Sequence, residues 1–188
     1  MVIAAASRLF RERGFDGIGL NELMSAAGLT HGGFYKKFES KEDLAAQACA
    51  RALGKSRMKW LRLVAHTQEN PFAAVVRAYL STRHRDDPGD GCAFAALGPD
   101  ASRHSGKLRE VFSSEIETHL GFLESLISDE PDEEARDRVI AALSTMVGAL
   151  LISRVVTDPE LSGRFLDASA EAVMSHAEHK THNTRRDK

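Results

Sequence analysis

The chain is poor in what covalent and metal-built scaffolds are made from. Its 188 residues include two cysteines, Cys49 and Cys92, too few for a disulfide framework and in keeping with a reducing compartment. With five prolines and 14 glycines, no convincing linker is found. No apolar run approaches the roughly 18 residues needed to span a bilayer, and the start lacks the basic-then-apolar layout of a signal peptide. The expectation is a cytoplasmic protein with no membrane partner.

Catalytic signatures are missing too. A phosphate loop needs four residues between its glycines and a Ser or Thr after the Lys, whereas Gly98 and Gly106 have seven residues between them and Leu108 follows Lys107. No Glu stands three residues before any of the eight histidines, which removes the Glu-x-x-His signature of a di-iron bundle. There is no Gly-x-Ser-x-Gly elbow. His176, His179 and His182 recur every third residue and could gather a metal ion, but they lack a carboxylate or thiol companion, and a solvated helix end is the plainer reading. We therefore expect no catalytic residue, metal or cofactor, and an enzyme is the rival class.

What the chain has is charge of two kinds in two places. Residues 1–66 hold 11 Lys/Arg against 6 Asp/Glu, and residues 67–188 hold 14 against 21, so the net charge of −2 conceals a basic head and an acidic body. Nucleic-acid contact at one end would require such a split. A composition 43% hydrophobic with mixed charge fits a globular fold with a real core.

The head is where punctuation is densest. Leu20, Leu23, Met24 and Ala27 form one apolar stripe on a two-turn helix. Gly28 suits the left-handed residue that stops it, Leu29 can pack beside the stop, and the Thr30 hydroxyl can cap a second helix from about His31 to Phe38. Phe34 and Phe38 point inward, leaving His31, Gly33, Tyr35, Lys36 and Lys37 outside. Two short helices joined by a glycine turn make a helix-turn-helix, whose second helix enters a major groove; a plain helical hairpin with a solvated basic edge fits the spacing equally well.

Beyond the head the pattern is helical throughout, with no strand or internal repeat. Val2, Ile3, Ala6, Leu9 and Phe10 stripe a first helix ended by Gly14. Ile18-Gly19 offers the helix from Leu20 only a weak cap. Ser40-Lys41-Glu42-Asp43 reads as a capping box for a long helix reaching past Trp60 to about Val64. Asn70-Pro71 opens a fifth helix, which the loop Asp86 to Gly91 breaks. A short segment Cys92 to Leu97 follows, Gly98-Pro99 breaks it, and further helices are expected at about Ser102 to Ile127, from Pro131 to Asp158, and from Leu161 to about His179. Cys92 is a buried small hydrophobe by default, or else a pocket wall or redox-sensitive thiol.

The run Gly14-Phe15-Asp16, then Leu23 through Thr30, then Gly32-Gly33-Phe34-Tyr35-Lys36-Lys37-Phe38-Glu39-Ser40-Lys41-Glu42-Asp43-Leu44, resembles the DNA-binding domain of the TetR (tetracycline-repressor-like) family. The resemblance covers about the first 50 residues and departs from the family in the weak second cap and in a first helix that starts close to the beginning of the sequence, where the family carries a basic arm upstream; either a piece is missing or this protein does without it. It implies an all-α chain of about nine helices, with a three-helix DNA-binding domain over residues 1–45 and a ligand-binding and dimerisation domain over residues 46–188. Carried over by position, Thr30, His31 and Gly33 lie nearest base edges of double-stranded operator DNA and Tyr35, Lys36 and Lys41 touch phosphates. A small, mostly apolar effector would be lined by Trp60, Tyr79, Phe94 and Phe112, though plain core is the default for aromatics at helical spacing. A homodimer would pair the last two helices through Leu143, Val147, Leu150 and Phe165, with Ala141, Ala142, Gly148 and Ala149 permitting close approach. The implied function is a ligand-released transcriptional repressor; a helical interaction module without DNA binding is the alternative, and a small enzyme a more distant one.

Overall fold

The computed structural model describes residues 2–104, 106–130 and 132–178. Among these, ten α-helices and one 3₁₀ turn occur and no strand: α1 (Val2–Arg13), α2 (Leu20–Ala26), α3 (His31–Tyr35), α4 (Lys41–His66), α5 (Pro71–Tyr79), α6 (Thr82–Asp86), the 3₁₀ turn Pro88–Asp90, α7 (Ala93–Arg103), α8 (Lys107–Ile127), α9 (Glu133–Val155) and α10 (Pro159–Glu178). They sort into two compact units, Met1–Met58 with Asp87–Glu117, and Lys59–Asp86 with Thr118–Lys188.

In the first unit α1 packs on α2, on α7 and on the 3₁₀ turn. Phe10, fully buried, meets Phe15 edge to face at 5.2 Å, and Phe15 is brought there by Gly14, whose left-handed φ of +75 ends α1 as only glycine does without strain. The loop that the sequence marks only as a break is a docking element. Arg11, 9% exposed, donates from Nε to the carbonyl of Gly89 at 3.0 Å, and Lys55 pairs with Asp90 at 2.7 Å. Burial lowers the pKa of the Arg11 guanidinium, an effect that Asp90 opposes.

In the second unit α10 packs on α9 and α5, and α6 on α9. Val139, Met146, Leu150 and Leu166 are buried between them. The α9–α10 turn is held by polar groups as well: Ser162 donates to the carbonyl of Ser153 at 2.6 Å, and Arg154 donates to the carbonyls of His84 at 2.8 Å and Arg85 at 3.0 Å. Side-chain caps form at the starts of α5 and α9. Asn70 accepts from the N–H of Ala73 at 3.0 Å ahead of Pro71, and Asp132 accepts from Ala135 at 2.6 Å, satisfying donors that a helix start leaves open.

Three expectations about elements need correction. Gly98-Pro99 does not break the helix from Ala93, which runs through Pro99 to Arg103; Leu97 and Ala101, four residues apart and both buried, hold it while packing offsets the one lost hydrogen bond. The next helix consequently starts at Lys107 rather than about Ser102, after Gly106 in the left-handed region. The fifth helix stops at Tyr79, and a separate turn of helix, α6, begins where Ser81 accepts from the N–H of His84 at 3.2 Å. Its polar sequence carries no apolar stripe to announce it.

α9 is the exception to the absence of long apolar stretches. It is long and apolar enough to cross a membrane by length and composition, with a mean hydropathy of 1.6 over its best window, of which 39% is buried inside the chain. Apolar residues surround the helix instead of lining one side. Ile140, Leu151, Ile152 and Val155 remain exposed, Val155 at 72%.

Candidate nucleic-acid interface

The turn between α2 and α3 is built by hydrogen bonds that its sequence specifies. Gly28 adopts φ +64, which lets Leu29 N–H reach the carbonyl of Met24 at 2.9 Å and Gly28 N–H reach that of Ser25 at 3.1 Å. This double closure satisfies the last carbonyls of α2. Thr30 then caps α3, its Oγ1 accepting from Gly33 N–H at 3.2 Å. At the other end of the pair, Gly19 supplies α2 with no side-chain cap, as Ile18-Gly19 leads one to expect. Ser40 accepts from Asp43 N–H at 3.1 Å while Asp43 accepts from Glu39 N–H at 3.2 Å, so the reciprocal cap of α4 forms with its return bond one residue before the cap.

The two helices bury Leu23, Met24, Phe34 and Phe38. The rings of Phe34 and Phe38 meet at 5.3 Å, tilted by 40°. This anchoring turns the opposite side of α3 to solvent: Thr30, His31, Gly32, Tyr35, Lys36 and Lys37 are all exposed. Tyr35 is 55% exposed and its ring sits edge-on to His31 at 5.1 Å, so the two present one aromatic edge bearing a phenol and an imidazole. A side chain on Gly33 would place its first carbon 3.1 Å from the capping oxygen of Thr30, whereas Gly32 faces open space. The glycines keep the cap intact and α3 low enough for close approach.

Lys36, Lys37 and the half-buried Lys41 make no ion pair among the described residues. Nearby Lys107, by contrast, pairs with Glu39 at 2.6 Å and Asp43 at 3.6 Å. Lys37 stands with the two lysines singled out from the family pattern, and its signal in the sequence was its place directly after Lys36 on the outer side. Three unpaired cations flanking a hydrogen-bonding edge can hold phosphates while the edge meets bases.

The other site candidates fall as follows. Trp60 and Tyr79 meet in the second unit at 6.0 Å, with His119 at 5.3 Å and Phe122 at 5.9 Å from the indole. Phe94 and Phe112 meet in the first unit at 5.9 Å. All four are buried. Of the residues expected at a dimer interface, Leu143 and Leu150 are buried in the chain's own core, and Val147 and Phe165 are half-buried. His179 and His182 lie outside the described residues. No group of three or more His, Cys, Asp or Glu able to hold a metal occurs among the described ones.

Cys49 and Cys92 are buried and not joined in a disulfide. Burial pushes the Cys49 thiol from an ordinary 9.0 up to about 12, despite the opposing pull of Arg11. Folding therefore protects this proton: above pH 9 the unfolded chain releases it and the folded chain does not, so stability falls as pH rises from about 9 towards 12. Denaturant midpoints should decline over this window more steeply in the wild type than in Cys49→Ala. Equal slopes would show that the thiol ionises freely in the native protein.

Residues 2–48 match the family model of bacterial regulatory proteins, tetR family. An uncharacterized HTH-type transcriptional regulator of Mycobacterium tuberculosis is 28% identical over 148 residues, which is 77% of this chain and 71% of that protein. The HTH-type regulator YerO of Bacillus subtilis is 29% identical over 85 residues, 45% of this chain and 29% of its own length. The fold extends the likeness to the whole chain. Reduced NemR of E. coli superposes with a TM-score of 0.77 at 20% identity, covering 93% of each chain, and a TetR-family regulator of Cytophaga hutchinsonii with 0.77 at 21%, covering 93% of this chain and 92% of its own. A glycine-hinged helix pair with cations beside it is thus set in a chain similar to HTH-type transcriptional regulators, and its residues 2–48 belong to the tetR family of bacterial regulatory proteins.

Proposed function

We propose that the protein is a cytoplasmic repressor that binds operator DNA as a homodimer and leaves it when a small, mostly apolar molecule binds. In this reading residues 1–45 are the DNA-binding head and residues 46–188 the effector-binding and dimerisation body, with no catalytic role. Thr30, His31 and Gly33 approach base edges, although the Gly33 amide is already engaged by Thr30. Tyr35, Lys36 and Lys41 hold phosphates, joined by Lys37. The observation that carries the reading is the set of lysines that lack acidic partners among the described residues beside the exposed edge of α3.

One chain offers one recognition helix, too little for a specific site, so two chains reading half-sites about one DNA turn apart are needed. The dimer surface is the outward stripe of α9, Ile140, Val147, Leu151 and Val155, with Leu161 and Phe165 of α10. Effector release acts through α4, which carries Trp60 and follows the recognition helix in the chain: a change in its direction alters the spacing of the two heads. Driving the equilibrium from mostly bound to mostly released takes roughly 5.5 kcal/mol of differential affinity, and operator DNA must weaken effector binding by the same factor.

Operators selected from random DNA supply the test. Lys41→Ala should weaken binding to all selected sequences alike and lower the salt slope by about one unit; unchanged affinity and slope would remove Lys41 from the interface. A promoter reporter carrying the selected operator decides between repression and activation. Failure to retain any DNA would favour the helical interaction module instead.

A further inference from the structure

The second unit contains a cavity of about 340 Å³ between α5, α9 and α10, with Ile127, the last residue of α8, in its wall. None of the four aromatics Trp60, Tyr79, Phe94 and Phe112 lines it. Phe72, Ile127 and Val173 make its apolar lining, and Arg138 reaches it from α9. The volume is at the lower end of the range of about 300–1,000 Å³ usual for small-molecule sites.

Arg138 is the odd member. Its Nε is buried with no hydrogen-bond partner, and its guanidinium makes no ion pair among the described residues. Arg136, two residues earlier, pairs with Glu124 at 3.3 Å. A dry guanidinium N–H is costly unless an acceptor meets it. One water occupies roughly 30 Å³, far less than this cavity, whose lining adds Glu134, Asp137, Thr145 and His176 at its polar side, so water alone would leave the face of Phe72, Ile127 and Val173 unfilled. An acceptor attached to an apolar body answers both requirements.

We propose that the cavity binds a monocarboxylate with an aromatic or aliphatic body, the carboxylate on Arg138 and the body between Phe72, Ile127 and Val173. Glu134 and Asp137 also line the space and disfavour a second negative charge on the ligand. Guanidinium and carboxylate match in charge and in the fork of donors and acceptors. The inference deepens the effector reading and rests on it for any consequence at the DNA.

Calorimetric titration of the full chain with naphthoate and octanoate, each against its amide, tests the site. The wild type should bind at least one carboxylate about tenfold or more tighter than its amide. Arg138→Met should abolish this preference, and Ala141→Trp, a wall position on the exposed side of α9, should abolish binding. Millimolar carboxylate without binding, an amide bound equally well, or a preference that survives Arg138→Met overturns the site. If Arg138→Met melts early, the same panel with Arg138→Gln decides. Operator affinity is measured in parallel: Arg138-dependent binding that leaves operator affinity unchanged upholds the site and overturns the effector reading, whereas operator release by a compound indifferent to Arg138 upholds that reading and overturns this site.

Discussion

Leu151→Glu is expected to leave the chain folded, make it monomeric at about 10 μM in sedimentation, and lower operator affinity by at least about a hundredfold. The argument starts from α9, whose inward side is Val139, Leu143, Met146 and Leu150 and whose outward side is Ile140, Leu151, Ile152 and Val155. Positions 140, 147, 151 and 155 recur at intervals of seven and four, one stripe on the helix surface. Burying a leucine fully is worth about 1.5–3 kcal/mol, and two-fold symmetry counts each substitution twice. A glutamate there replaces that gain with the desolvation of a charge, several kcal/mol per ion. Losing the dimer removes the second half-site, and the advantage of linking two binding events reaches about 10²–10⁴. Leu143→Glu separates the interface from the fold, because Leu143 belongs to the chain's own core and a charge there should unfold the second unit. A wild-type monomer, or a Leu151→Glu dimer of unchanged strength, would refute the pairing surface.

Phe34→Ala should be the most damaging single change in the head. Phe34 is 1% exposed and is the buried residue of a helix only five residues long, which has too few turns to stand alone. Its ring lies 5.3 Å from Phe38 and 5.1 Å from Tyr35, so truncation removes both the anchor of α3 and a support of the exposed edge. The cost is about 3–5 kcal/mol, a large share of the roughly 5–15 kcal/mol of a domain. Hydrogen exchange should show the amides of α2 and α3 opening while those of α9 and α10 stay protected, with operator binding lost. Retained binding and unchanged protection would mean that α3 is held by contacts other than this ring.

Local chemistry is why so much of the head was legible. Gly28, Thr30 and Ser40 act on backbone groups one to five residues away, and each does what its residue type dictates: a left-handed stop, a hydroxyl cap, a reciprocal cap. The same locality explains Asn70 and Asp132 at later helix starts. Where a long-range partner decided, single residues misled. Pro99 should break a helix, but the burial of Leu97 and Ala101 carries α7 through it. The loop of Asp87, Pro88, Gly89 and Asp90 looked like mere punctuation, and its partner Arg11 lies 78 residues earlier.

The sequence by itself determined the helical composition, the ends of most helices, the glycine-hinged pair α2 and α3, and the side of α3 turned outward, because these follow from backbone capping and a 3.6-residue period acting over one or two turns. Only the tertiary structure decided which faces of α9 are spent inside. That helix is apolar all round, so periodicity could not distinguish Leu150, fully buried in the chain, from Leu151, left exposed. The packing of α10 and α6 on α9 assigns one side to the core and leaves the other exposed. Among the described residues it also leaves Arg138 without the acid that its neighbour Arg136 finds in Glu124, a difference that only distances in space can register.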